Sequence, residues 1–264
     1  MKTQLVVDAA CDLPPSFIEQ RNITVLPVKI DINGETIIDR RDPKLMADFY
    51  RQDRLSIKND VKSHAFSVEE INEFFKNKVV PDCRYALMQT TSSKRSQNFE
   101  RCQQAMPQIR ANARAAREKE DVETPFGMRV MNSQVMFCGQ GALAAFTSDL
   151  IAAGRNTKDV LRLSDAFRAK IIAIAVPADI IYIRERARRR GETSISMVSS
   201  LLAKTLDIKP IVSFARDETQ VVAKERGFKS AVERLFEYTK RRIKKGLLMP
   251  YVVVGYGGDP AEIT

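Results

Sequence analysis

Short apolar, β-branched runs alternate with helix-length polar segments through the first half of the chain, and this alternation restricts the fold more than any other feature. Leu5-Val6-Val7 and residues 84–89 and 128–131 are too short and too uniformly apolar for amphipathic helices, so they read as buried strands. A helix-length segment follows each of them. Strands joined in this way lie parallel, with right-handed crossovers and helices covering the sheet. Within the same half, Asp12-Leu13-Pro14-Pro15 predicts a helix start with Asp12 as its cap. Residues 23–32 read as one extended strand that turns at Asn33-Gly34 and returns through 35–38. A helix is expected around 46–52. Ser67 with Glu70 is a capping box that opens another, running to about Lys78.

The pattern changes after Asn156. One more helix leads to a continuous apolar strand at 171–176, closed by Pro177. An arginine-rich helix, a helix at 196–206, a hairpin built from 209–214 and 220–224, a basic helix at 229–245 and a final strand at 251–254 complete the chain. The expected architecture is a parallel α/β domain over 1–156 and a mixed or antiparallel α+β domain over 157–264. After the last strand, a glycine turn and the start of a proline-led helix meet the terminus at once, so the second domain reads as cut short.

Composition removes several chemistries. The chain holds 264 residues with four cysteines and a single histidine. Cys11, Cys83, Cys102 and Cys138 are scattered, with no CxxC spacing, so neither a zinc site nor a disulfide framework is expected. A Ser-His-Asp engine would rest on His64 alone, and no GxSxG elbow is present. No metal or cofactor is expected. The opening residues form a strand rather than a signal peptide, and no apolar run has the roughly 18 residues of a membrane span, so the expected location is the cytoplasm.

Net charge is +10, and its placement is uneven. Between Arg184 and Lys245 there are 17 Lys/Arg and 8 Asp/Glu, so one stretch carries nearly the whole excess. Arg186, Arg188, Arg189 and Arg190 form its densest run and suit an acidic protein or nucleic acid, although a solvated helix face explains such a run equally well. Zinc-finger and RNP-like signatures are absent, and there is no tryptophan.

The most informative polar feature is the hydroxyl cluster Thr90-Thr91-Ser92-Ser93-Lys94-Arg95-Ser96. It falls where a strand ends and a long helix begins, the place where parallel sheets bind ligands and where unpaired helix amides favour an anion. Ser96 is placed to cap that helix, and plain capping is the alternative to a binding role. A nucleotide site would need a glycine cradle, and neither GxxxxGK[ST] nor GxGxxG occurs.

Six segments in order resemble the DegV family. They are Val6-Val7-Asp8-Ala9-Ala10-Cys11-Asp12-Leu13-Pro14, the stretch from Ile23 to Gly34, Lys62-Ser63-His64-Ala65-Phe66-Ser67, Ser92-Ser93-Lys94-Arg95-Ser96-Gln97-Asn98-Phe99, Gly139-Gln140-Gly141, and Leu206-Asp207-Ile208-Lys209-Pro210-Ile211. The resemblance implies a two-domain α/β protein that holds a long-chain fatty acid in a tunnel between its domains and is not itself an enzyme. It also implies that some members present the acid to a separate ATP-dependent fatty acid kinase. The family's carboxylate-holding threonine falls on Ser63, its paired serine on Ser96, and a late histidine on Tyr256. The chain departs from the pattern where Gln97-Asn98 replace a Gly-Thr and where 186–196 replace a short glycine-arginine loop.

Overall fold

The first strand, β1 (Thr3–Asp8), is buried along its whole length, so both of its faces must be covered. It lies inside a four-stranded sheet with β2 (Thr24–Leu26), β6 (Tyr85–Thr90) and β7 (Gly127–Asn132), in the order β2-β1-β6-β7. Every pairing in this sheet is parallel. The computed structural model describes residues 3–56, 58–119, 125–189 and 207–258. The chain divides into two units, Met1–Ile171 with Val253–Thr264, and Ile172–Val252.

Alternation along β6 assigns the two faces of the sheet. Ala86 and Met88 join Val6, Ile71, Phe75, Cys102 and Ile109 in one cluster, which packs α3 (Val68–Lys78) and α4 (Asn98–Lys119) onto the first face. Burying a ring such as that of Phe75 contributes about 1.5–3 kcal/mol. Gln89 points the other way and donates to Thr147 Oγ1 at 2.7 Å on α5 (Cys138–Ala152). Thr147 Oγ1 in turn lies 2.9 Å from Ser164 Oγ on α6 (Thr157–Arg168), where the Phe146 and Phe167 rings also stack 4.2 Å apart. These contacts keep α6 with the first unit, so the composition change near Asn156 precedes the division by packing at Ile171.

The extended run at 23–32 is two strands in two sheets. Pro27 has no N–H for a ladder and falls between β2 and β3 (Val28–Ile32). Strand β3 leaves the parallel sheet and pairs antiparallel with β4 (Glu35–Asp39) and β5 (Val61–His64). Its turn is the expected Asn33-Gly34 pair, with φ of 51° and 90°. This small sheet closes on α2 (Pro43–Arg51) through Ile32, Phe49 and Val61. The Ser67–Glu70 capping box is formed in both directions. Asp12, by contrast, does not cap α1 (Pro15–Gln20), whose N-cap is Pro14. Its carboxylate faces Arg41 instead, 3.4 Å away.

In the second unit, β8 (Ala173–Ala175), β9 (Ile208–Ala215) and β10 (Glu218–Arg226) form an antiparallel sheet in the order β10-β9-β8. A helix α7 (Ile180–Arg189) and the basic helix α8 (Phe228–Lys244) accompany it, with Ala231 of α8 buried. The strand expected at 171–176 is shorter, and residues 251–254 pair with no strand among the described residues. Val252 and Val254 are 45% and 71% exposed, so their β-branched character reflects no sheet position. The helix expected at 196–206 and Arg190 lie outside the described residues, as do the side chains of Arg186, Arg188 and Arg189. Among the described residues, no helix is long and apolar enough to cross a membrane.

Candidate functional site

The chain builds β1, steps to β2 on one side, and then returns to β6 on the other. Neighbouring connections therefore diverge between the carboxyl ends of β1 and β6, and open parallel sheets bind ligands at such a divergence. Asp8 closes β1 at this point and is fully buried.

Four N–H groups converge on the Asp8 carboxylate. Oδ1 accepts from Ala10 N at 3.3 Å and from Gln140 Nε2 at 3.1 Å. Oδ2 accepts from Thr91 N at 2.8 Å and from Asn98 Nδ2 at 3.0 Å. One side chain thus ties together the turn after β1, the hydroxyl loop after β6, the first residue of α4 and the first turn of α5. Burial raises the Asp8 pKa above its ordinary value, and these four donors act against that rise.

The hydroxyl loop is also held from the β7 side. Ser92 N donates to Val135 O at 3.0 Å, and Ser93 N donates to Asn132 Oδ1 at 3.2 Å. Asn132 Nδ2 completes the exchange by donating to Ser93 Oγ at 2.8 Å. Ser96 Oγ accepts from Asn98 N at 3.2 Å, as a cap would, which leaves its own proton to donate. Helices α4 and α5 both start at this end of the sheet, so the positive ends of their dipoles lie there.

Ser63 comes from the other sheet. It lies on β5 opposite Ile30, with an exposed side chain. Arg101 of α4 links its segment to the hydroxyl loop. The guanidinium donates to Ala65 O at 2.8 Å and Phe66 O at 3.0 Å, and also to Gln97 Oε1 at 2.7 Å. The stretch after Ser63 and the stretch after Ser96 are therefore fastened to one side chain. Beside them, Lys29 pairs with Glu70 at 2.6 Å and lies 5.6 Å from the centre of the Phe66 ring. His64 Nε2 sits 2.8 Å from Asp31 Oδ2.

Tyr256 is 46% exposed, on a strip of chain that returns to the first unit. A Cβ on the preceding Gly255 would lie 3.3 Å from Asp12 Oδ2, and one on Gly257 would lie 3.8 Å from the Tyr50 hydroxyl of α2. Arg41 fixes the loop between Ala9 and Leu13 beneath this strip. Its guanidinium donates to the carbonyls of Ala9 and Leu13 at 3.2 and 3.1 Å, and to that of Cys11. Burial raises the Asp12 pKa, against the pull of Arg41.

Asp8, Arg41, Arg101 and Gln140 hold the candidate site together; Asp8 and Gln140 fall within family-like segments but are not among the expected site residues, and Arg41 and Arg101 fall in none of those segments. Asp8 carried one usable signal, a carboxylate directly after the apolar run Leu5-Val6-Val7. Burial also pushes the thiols of Cys11, Cys102 and Cys138 upward, so none is an activated thiolate. Among the described residues, no group of three or more His, Cys, Asp or Glu is placed to hold a metal. Two clefts of about 570 Å³ each occur elsewhere in the first unit, and neither is lined by Ser63, Ser96 or Tyr256.

Comparison with known proteins matches this geometry to a family. Residues 2–264 fit the model of a family described as an uncharacterised protein, DegV family. A DegV domain-containing protein of Xanthomonas campestris pv. campestris is 33% identical over 263 residues, covering 100% of this chain and 84% of that protein. Among solved structures, a DegV lipid-binding protein of Thermotoga maritima superposes with a TM-score of 0.71 at 22% identity, covering 91% of this chain and 77% of that one. The fatty acid kinase B3 protein of Streptococcus pneumoniae, loaded with linoleic acid, gives 0.65 at 16% identity, covering 92% and 79%. With the sequence matched from end to end and the two-domain α/β fold shared, this chain is a member of the DegV family.

Proposed function

We propose that this chain is a non-catalytic carrier of a long-chain fatty acid. The carboxylate is held by the hydroxyls of Ser63 and Ser96, with Tyr256 as a further donor, and the acyl chain lies in an apolar channel. The observation that carries this reading is Arg101, which fastens the segment after Ser63 to the loop after Ser96. The fatty acid carried by the pneumococcal relative supports it.

The energetics fit a carrier. Each charge-assisted hydrogen bond to the carboxylate contributes about 1.5–3 kcal/mol, and each buried methylene about 0.8 kcal/mol. The tail therefore supplies most of the affinity, while the hydroxyls fix direction. A serine nucleophile needs a positioned base, and His64 faces Asp31 instead. A carrier of this kind works in the cytoplasm and presents the acid's carboxylate to a fatty acid kinase.

Native mass spectrometry of the gently purified protein, followed by titration with oleate, tests the reading. The expected result is one bound acid per chain. Ser63→Ala, Ser96→Ala and Arg101→Ala should each weaken oleate binding by about tenfold, with little change in melting for exposed Ser63. A protein that purifies without lipid and takes up none on titration is not a carrier.

A further inference from the structure

The parallel sheet ends at β7, and its open edge is finished in an unusual way. Gly127 N donates to Arg84 O and Ser133 N to Thr90 O, so the odd-numbered residues of this strand face β6. The peptide groups of Met128, Val130 and Asn132 consequently face outward. Two of the outward carbonyls are taken by guanidinium groups. Arg110 of α4 donates to Met128 O, and Arg168 of α6 donates to Asn132 O at 2.8 Å. Arginines thus occupy acceptors of the edge, while no described strand lies beside the N–H groups of Met128 and Val130.

Along this edge runs one of the two clefts, about 570 Å³ in volume. Phe99, Met106, Val130 and Leu161 give it an apolar wall. Arg110, Arg129 and Arg168 line it too, against the single carboxylate of Asp165. That carboxylate serves two of them, at 3.1 Å from Arg129 and 2.9 Å from Arg168. A guanidinium has five N–H groups, so one shared carboxylate cannot saturate the set. The cleft is therefore rich in donors, cationic and lined on one side by apolar side chains, at a size typical of small-molecule sites.

We propose that the cleft beside β7 binds a small amphiphilic anion, an apolar ring or short chain bearing one carboxylate, sulfonate or phosphate. The head group meets Arg129 and its neighbouring guanidiniums, and the body lies on Phe99, Met106 and Leu161. This site is separate from the proposed fatty-acid site, and neither depends on the other. Addition of a strand from a second copy is the competing use of a sheet edge, and the two arginine-capped carbonyls oppose it.

The test uses the full chain saturated with oleate and titrated with 8-anilinonaphthalene-1-sulfonate. Binding should persist under oleate, weaken as salt rises, and shift the amide resonances of Met128 and Val130. Arg129→Gln should weaken binding by about tenfold with an unchanged melting temperature, because an ion pair as exposed as Arg129–Asp165 contributes little to folding. Unchanged affinity in Arg129→Gln, full displacement of the probe by oleate, or unmoved Met128 and Val130 amides would each overturn the assignment. So would sedimentation showing a dimer that the probe dissociates, which would assign the edge to a second copy of the chain.

Discussion

Replacing Gly141 by alanine should damage both the fold and the site, although alanine is the better helix former. Gly141 lies in the first turn of α5, and a Cβ there would stand 2.1 Å from the Asp12 carbonyl oxygen. Real Cβ atoms essentially never approach closer than 3.0 Å, so helix and loop must separate by roughly 0.9 Å. Neither side is free to move. The loop is held by the Arg41 bonds to Ala9, Cys11 and Leu13. The start of the helix is held by Gln140, which donates to Asp8 Oδ1 and to Gln89 O, both at 3.1 Å.

Overpacking costs about 1–3 kcal/mol, and losing a buried charge-assisted hydrogen bond costs about 1.5–3 kcal/mol. The gain in helix propensity is about 1 kcal/mol at most. The net expectation is a destabilisation of about 2–4 kcal/mol, which lowers the melting temperature of a unit this size by roughly 10 °C. Thermal unfolding followed by circular dichroism measures the shift. Oleate titration of the folded variant should show weaker binding, because Gln140 links α5 to the carboxylate that anchors the hydroxyl loop. A Gly141→Ala protein that melts within about 1 °C of the parent and binds oleate equally well would refute the argument.

Three other outcomes follow from the same contacts. Asp8→Asn turns one acceptor oxygen into an amide nitrogen facing two donors, so urea unfolding should show a loss of about 2–4 kcal/mol, and parent-like stability would count against an anchoring carboxylate. Burial holds the Asp12 carboxyl above its ordinary value of 3.8, so its contribution to stability is complete below that value and declines as pH rises through the folded-state value. Asp12→Asn should flatten the pH dependence of stability in that window, and identical slopes in the two proteins would show that Asp12 does not contribute. The basic surface of α8 should bind duplex DNA only weakly and lose it steeply with added salt, as a gel shift would show, whereas binding that survives physiological salt would favour a nucleic-acid role.

Local chemistry made part of this structure legible. Three buried parallel strands, the Asn33-Gly34 turn and the Ser67–Glu70 box each follow from residues adjacent or nearly adjacent in sequence. Segments whose state is decided elsewhere were harder to read. Residues 23–32 are rich in β-branched side chains, yet Pro27 splits them between a parallel and an antiparallel sheet. Residues 251–254 are as β-branched as any strand, but propensity does not supply a partner. Asp12 has the sequence context of a cap, and the competing attraction is a guanidinium 29 residues away.

The site divides along the same line. The loops of the candidate site stand out in sequence as hydroxyl-rich segments at strand-to-helix junctions; the contacts that hold them do not, because Asp8 to Gln140 spans 132 residues and Arg101 to Phe66 spans 35. The departure from the family pattern at Gln97-Asn98 shows what that difference means. Read locally, two larger residues in place of Gly-Thr obstruct a close approach of the backbone to a head group. In the structure, Asn98 sends its amide inward to Asp8 and its backbone N–H to Ser96, while Gln97 turns its carbonyl toward Arg101. Both side chains are thus engaged in anchoring contacts, one with a buried carboxylate and the other with a guanidinium. Where a glycine would leave the backbone free, this chain therefore has two side chains tied to Asp8 and Arg101.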